Sequence, residues 1–472
     1  MTDLDLETLA SRFEGQLVGP DHQGYHELRQ VFNGMIDRRP AVIARCESGD
    51  DVAAAVDFAR TEGLPLSVYC GGHAVTGHAV CEGGVCVDLR PMNRIEVDPD
   101  ARSARVQGGA VWGDVDAATQ EHGLAMTGGR NSTTGVGGLA LGSGSGWLER
   151  KLGLTCDSLR SVEIVTADGN RLTASESENA DLFWGTRGGG GNFGVVTEFE
   201  FELQPMGPTL LGGMLMYPAP MAGAVLRHFR DFIAQAPDEV CGGCALISAP
   251  PEEFVPEPVR GQPVMGMVLC YAGPFAEAEE GLKPLREFGP PAMDMVQPMP
   301  YVAVQQLIDP PNQPGRRNYW TADFLAQLPD EAIDLLCEHH LTKPSPLSQI
   351  LVLPGGGAIS RVPDDAMAFG QRHAPFNLHI ISMWLDAADD DVNITWTREF
   401  GARMKPYTTG RAYLNFIGEE GEDRVRAAFG PETYARLQAL KDRYDPTNLF
   451  RLNQNIKPTG QVSDTELAAA QA

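Results

Sequence analysis

From residue 39 to residue 205 the chain alternates short apolar blocks with polar ones. RPAVIARC, residues 39–46, is an apolar run of strand length. Ser48 then stands as an N-cap ahead of DDVAAAVDFARTEG, a helical pattern that Gly63 ends. LPLSVYC follows as a second strand and runs directly into Gly71-Gly72-His73. The pattern predicts a β-α-β unit with a glycine loop after its second strand. GGVCVDLR, RIEVDP and SARVQGG read as two or three further strands, and WGDVDAATQEHG reads as a helix. SVEIVTADGNRLTA reads as a hairpin turning at Asp168-Gly169. DLFWGTRGGGGNFGVVTEFEFEL closes the block as a glycine loop feeding an alternating strand.

The composition shifts near Pro205. Beyond it, strand-like runs (MGMVLCYAG, NLHIISMWLDA) alternate with helical ones (MAGAVLRHFRDFIAQA, PDEAIDLLCEHH). This predicts an antiparallel sheet with covering helices, and the prolines at 250–263 and 288–314 mark its loops. Tyr413 to Phe416 reads as a strand, PETYARLQALKDRYDP as a helix and SDTELAAAQA as a frayed tail. The expected class is α+β, divided into residues 1–205, 206–410 and 411–472.

Charge narrows the partners. The 472 residues hold 37 Lys plus Arg against 63 Asp plus Glu, a net charge of −26. Such a surface repels phosphate backbones and anionic lipid, so nucleic-acid and membrane partners are not expected. MTDLDLETLASRF has no basic segment ahead of an apolar run, and no apolar stretch of about 20 residues exists. The nine cysteines, odd in number and irregular in spacing, suit reduced thiols and a cytoplasmic location. Cys241 and Cys244 form a lone C-x-x-C without a second ligand pair, so they read as buried thiols and no metal site is expected. The run Asp389-Asp390-Asp391 reads as a solvated turn.

Glycine carries the candidate chemistry. Of the 53 glycines, 25 fall between positions 71 and 194, many of them in loops at 71–77, 128–146 and 188–194. Such loops offer backbone N–H groups and little bulk, which suits an extended pyrophosphate cofactor. Gly189, Gly191 and Gly194 spell G-x-G-x-x-G, but a strand follows where the dinucleotide fingerprint needs a helix. His73 ends the first glycine pair, where it could touch a flat cofactor or simply bond to loop backbone.

The motifs occur in a fixed order: VYCGGHAVTGHAV, TTGVGGLALGSGSGWLERKLGLTCDSL, DLFWGTRGGGGNFGVVTEFEFEL, then GRAYLNF and RYDPTNLFRLNQNIKP. The series resembles the berberine-bridge-enzyme-like family of the vanillyl-alcohol-oxidase superfamily, over residues 35–205 and 375–460. The resemblance implies a two-subdomain PCMH-type FAD-binding domain over 1–205, a substrate domain over 206–410 and a C-terminal segment returning to the FAD domain. It implies FAD joined through its 8α carbon to His73, matching the family's G-G-H histidine. The further cofactor positions it implies are Cys70, Gly71, Gly72, Ala74, Val75, His78, Ala79, Thr133, Thr134, Gly137, Gly138, Gly142, Asp157, Gly194, Val196 and Asn453.

The chain departs from many relatives in two places. Asn131 stands where they carry a cysteine that makes a second flavin bond, so a single attachment is expected, with Cys156 as the competing second anchor. Tyr69-Cys70 stands where relatives often have an arginine. Thr134 falls where relatives vary the residue that gates oxygen. Tyr413, with Asn415 beside it, matches the family's Y-x-N tyrosine, which implies a base for a substrate hydroxyl. An ordinary phenol, with a pKa near 10, would need help in that role. Tyr319, Trp320 and Trp384 are candidate substrate-stacking residues.

The resemblance implies hydride transfer from a small alcohol, sugar lactol, phenolic or secondary-metabolite substrate to FAD, with oxygen as the expected acceptor. The alternatives are a non-covalent FAD enzyme reduced by NAD(P)H and a non-catalytic flavin-sequestering protein.

Overall fold

The computed structural model describes residues 6–461, so the SDTELAAAQA tail lies outside the described residues. The expected α+β class is borne out. The first sheet runs Gln16–Val18, Val42–Arg45, Val85–Asp88, Leu66–Tyr69. Its last two pairings are parallel. Val85–Asp88 is inserted between the two strands of the expected β-α-β unit, so those strands are not neighbours. The intervening helix spans Gly49–Thr61, and Ser48 caps it by accepting from the Asp51 amide at 3.2 Å.

The second sheet is antiparallel, in the order Ile95–Asp98, Ser103–Gln107, Val195–Glu202, Leu159–Val165, Arg171–Ser175. The expected hairpin closes its edge. Thr166 N–H donates to Asn170 at 3.0 Å, and Gly169 supplies the positive φ of 83°. The strand Val195–Glu202 follows the third glycine loop, as the rejection of a Rossmann site required.

A nine-stranded sheet dominates the rest. Its centre runs Thr209–Pro218, Pro263–Tyr271, Val240–Ser248, Gln349–Pro354, Phe376–Trp384, Arg317–Leu325. Helices Ala222–Ile233 and Asp330–Thr342 bury Leu226, Phe229, Ile333 and Leu336 against one face. Cys241 and Cys244 lie three apart on one strand and so point to opposite faces. They pack into separate apolar clusters and cannot share a ligand. Among the described residues, no helix is long and apolar enough to cross a membrane.

The expected strand at Tyr413–Phe416 is not formed. The strand Thr408–Ala412 ends one residue earlier, and Leu414–Phe416 turns as a 3-10 segment. The chain then returns to the second sheet, where Phe429, Leu437 and Leu440 join the core built around Phe199 and Phe201. A buried ion pair fastens this return. Lys441 meets Asp445 at 2.8 Å, and both are fully buried. Lys441 also donates to the Asn192 carbonyl, while Asp445 accepts from the amides of Leu449 and Phe450. The RYDPTNLF segment is therefore a clamp on the third glycine loop.

Candidate active site

The glycine loops and the large sheet enclose a cavity of about 320 Å³. On the loop side, two loops touch backbone to backbone. A Cβ on Gly71 would run into the Gly135 amide, and one on Gly135 would run into Gly71. Gly142 has the same requirement, because the Asn415 side-chain amide occupies the place of its missing Cβ. Glycine at 71, 135 and 142 is thus what lets the first two loops and the Asn415 turn form one wall.

His73 sits in that wall. Its ring stacks on Phe32 with centroids 4.5 Å apart. Nε2 lies 2.8 Å from Thr133 Oγ1, and Nδ1 lies 3.4 Å from Thr134 Oγ1. Thr133 is oriented in turn by Asn131 Oδ1, which accepts from its hydroxyl at 2.7 Å. Burial holds the His73 imidazole down to about 4, so it is neutral at physiological pH. Cys70 lines the same wall, and burial pushes its thiol up to about 12. Arg90 lies over the neighbouring Tyr69 ring, 3.9 Å from its centroid.

The opposite wall is the free face of the large sheet. Trp320, Gln349, Leu351, Leu353, His379 and Ile381 face the cavity, and Asn415 and Phe416 close its corner. Trp320 stacks on Phe416 at 5.5 Å. Among the described lining residues none is Asp, Glu or Lys. Arg130 also lines the cavity, but it is committed to Ser145, the Gly146 carbonyl and Glu149.

The structure brings together most of the expected positions. Cys70, Gly71, Gly72, His73, Ala74, Val75, His78, Ala79, Thr134, Gly137, Gly138, Gly142, Gly194, Val196, Trp320, Asn415 and Asn453 all line the cavity. Thr133 reaches it through His73.

Four expectations, at Tyr413, Asp157, Tyr319 and Trp384, need correction. Tyr413 does not line this cavity. It is buried behind Phe416, and its hydroxyl accepts only long bonds from Ser143 at 3.4 Å and Asn415 at 3.5 Å. Burial pushes the phenol up to about 12, the wrong direction for a base. Asp157 is also away from the cavity, because both its oxygens accept from the fully buried Arg372 at 2.7 and 2.8 Å. Cys156, the competing second anchor, is a buried thiol next to that pair, with Sγ 3.4 Å from Met367 Sδ, and it does not line the cavity. Tyr319 lies outside the cavity, its hydroxyl accepting from Arg398 at 3.1 Å. Trp384 is buried, and its indole donates to Asp390 at 2.7 Å. The same Asp390 takes both arms of Arg317, so the acidic run holds a structural pair as well as a turn.

The residues present fit an extended flavin dinucleotide. A Cβ on Gly138 or Gly191 would meet nothing within 4 Å, which leaves free space along both loops. Asn453, pinned by bonds to the Gly191 and Phe450 carbonyls, keeps a buried side-chain oxygen without a partner. Asn453 lines the cavity together with Gly191 and Gly194 of the third glycine loop.

Phe32, Gln349, His379 and Phe416 were not singled out in the sequence. The period-2 spacing of Gln349, Leu351 and Leu353 marks one strand face, but not which face meets the cavity.

Residues 40–175 match the family model described as FAD binding domain, and residues 412–457 match that described as berberine and berberine like. The chain is 30% identical over 462 residues to (R)-6-hydroxynicotine oxidase of Paenarthrobacter nicotinovorans, covering 95% of this chain and 97% of the relative. It is 29% identical over 455 residues to an uncharacterised FAD-linked oxidoreductase of Bacillus subtilis, covering 95% and 98%. The crystal structure of 6-hydroxy-D-nicotine oxidase from Arthrobacter nicotinovorans superposes with a TM-score of 0.84 at 29% identity, covering 94% and 98% of the two chains. A cavity walled by glycine loops and closed by an antiparallel sheet, together with this full-length similarity, shows that the chain belongs to the berberine-bridge-enzyme-like family of FAD-linked oxidoreductases.

Proposed function

We propose that this protein is an oxidase that takes a hydride from a small organic substrate, with FAD joined to His73 alone and molecular oxygen as acceptor. The observation that carries the reading is the state of His73. Its imidazole is neutral, stacked on Phe32 and held 2.8 Å from Thr133 at the cavity wall. A neutral imidazole keeps a lone pair, which attachment at the flavin 8α carbon requires. Bound there, FAD supplies a hydride acceptor of raised potential. The chain's own contribution is to orient and to exclude. Thr133 and Thr134 fix the ring of His73, and Asn131 fixes Thr133. Asn131 cannot form a thioether, and Cys156 is sealed in the core. Thr134, a small residue beside His73, is compatible with oxygen reaching the flavin.

Substrates of the alcohol, lactol, phenolic or secondary-metabolite type suit the reading, and a relative named (R)-6-hydroxynicotine oxidase supports a small organic molecule. The test is acid precipitation followed by peptide mapping. Yellow colour should stay with the protein, on a peptide containing His73, and His73→Ala should release it. Colour lost wholly to the supernatant of the native protein overturns the attachment. Flavin that is bleached by substrate but not restored by air overturns the choice of oxygen.

A further inference from the structure

The strand Phe376–Trp384 has two different faces. Phe376, Leu378 and Ile380 point into the helix-covered core. His379 and Ile381 point the other way, toward the cavity. His379 lies in register with Leu351 on one side and Ala322 on the other, so its sheet neighbours offer it nothing polar. Its ring packs on Phe416 at 4.2 Å and Tyr413 at 5.7 Å. The residue is fully buried, and neither Nδ1 nor Nε2 has a hydrogen-bond partner.

A buried polar atom without a partner is unfavourable, and a ring in a cavity wall can recover its bond from a ligand. Burial and the nearby Arg130 hold the imidazole down to about 3. It is therefore neutral and presents one donor and one acceptor. Among the described residues, no carboxylate lines the cavity to compete for the same proton.

We infer that His379 is the substrate-binding residue of this cavity, accepting a hydrogen bond from a hydroxyl or amine group of a neutral ring compound. This rests on reading the cavity as the substrate side of the flavoenzyme. Trp320, Leu351, Ile381 and Phe416 surround His379 with apolar surface. Gln349 is the other polar side chain of this sheet face, opposite Ile381 on the neighbouring strand. An acceptor flanked by apolar and aromatic side chains fits a flat ring that carries a donor.

Phenol and anisole test this, because they differ in whether the ring oxygen carries a proton. The protein is used as isolated, and affinity is read from thermal stabilisation and from the shift of flavin absorption. Phenol should bind about tenfold more tightly than anisole, the size of one buried hydrogen bond. His379→Leu should abolish that preference while still binding anisole, and His379→Gln should restore part of it. His340 is the control, since it is equally buried and lies off the cavity. His340→Leu should keep the full preference.

Equal affinity for the two probes in the native protein overturns the inference. So does a preference that survives His379→Leu, or no binding of phenol at all. Should the leucine variant fail to fold, magnetic resonance of isotope-labelled histidines in the native protein decides. Phenol must then move one buried imidazole, assigned through His379→Gln, and anisole must leave it unmoved. The probe comparison does not need an attached flavin. Colour released by acid with the phenol preference intact would sink the His73 reading alone.

Discussion

The two walls of the cavity are built in opposite ways. On the loop side, backbone approaches backbone, and glycine at 71, 135 and 142 is what permits the contact. On the sheet side, the backbone is consumed by strand pairing, and chemistry can come only from the few polar side chains that alternate into the cavity, Gln349 and His379 among them. The loop wall is specified by residues that cannot be anything else. The sheet wall is specified by residues that could change without disturbing the fold, which is where substrate choice can vary.

A polar side chain near the loop wall is not thereby a ligand group, and Asp157 breaks or sustains that distinction most sharply. It neutralises Arg372, whose side chain is fully buried. Removing one partner of such a pair leaves an uncompensated charge, so Asp157→Ala should cost about 3–5 kcal/mol, read by urea unfolding of the flavin-free protein. A variant of unchanged stability that merely loses flavin would return Asp157 to the cofactor.

The glycine contacts come next in size. Gly71→Ala must push apart two stretches of backbone and should cost about 1–3 kcal/mol. Gly138→Ala places its methyl in free space, so the fold should change by less than about 0.5 kcal/mol while flavin content falls. If both variants lose the same stability, the loop wall is a packing feature and the space beside Gly138 is not for a cofactor.

Much of the framework that carries the loop wall was legible because its signals are local. Ser48 caps where a cap was read, Gly169 turns where a turn was read, and a strand follows Gly194 where a strand was read. The sheet wall was not legible for the converse reason. Strand alternation shows that His379 and Leu378 face opposite ways, but only the packing of helices on Leu378 shows which face is left for the cavity. Tyr413 shows a third limit. It stands in an ordered motif, yet whether its ring falls in front of Phe416 or behind it depends on a 3-10 turn one residue after a strand end. Aromatic identity misled in the same way at Tyr319 and Trp384, where an arginine and a carboxylate on other elements claimed the polar atoms.

Acid sharpens the sheet side. His379 and His340 are both held down to about 3, chiefly by burial, from an ordinary value of 6.5. The unfolded chain therefore binds their protons first. Above pH 6.5 neither residue affects stability, and as pH falls from there toward 3 each one progressively favours unfolding. At pH 5 each should account for about 2 kcal/mol of lost stability relative to pH 7. His379→Leu or His340→Leu should flatten the acid limb of the urea-unfolding profile by that amount. An unchanged limb would mean that the ring finds a polar partner in solution, which for His379 would remove the vacancy offered to substrate.

The smallest expected effect separates Tyr413 from His379. The Tyr413 hydroxyl accepts two long bonds and faces Ser143 and Asn415, not the cavity. Tyr413→Phe keeps the ring that stacks on His379 and Phe416 and removes only the oxygen. Loss of a general base costs about 10²–10⁴-fold in rate. If Tyr413 acts only by packing, flavin bleaching by substrate under anaerobic conditions should slow by less than about tenfold, because the cost is confined to weak bonds of roughly 1 kcal/mol. A loss in the range of a missing base would mean that the phenol swings past Phe416 during turnover. The sheet wall would then owe its chemistry to the return segment, not to the central strand that carries His379.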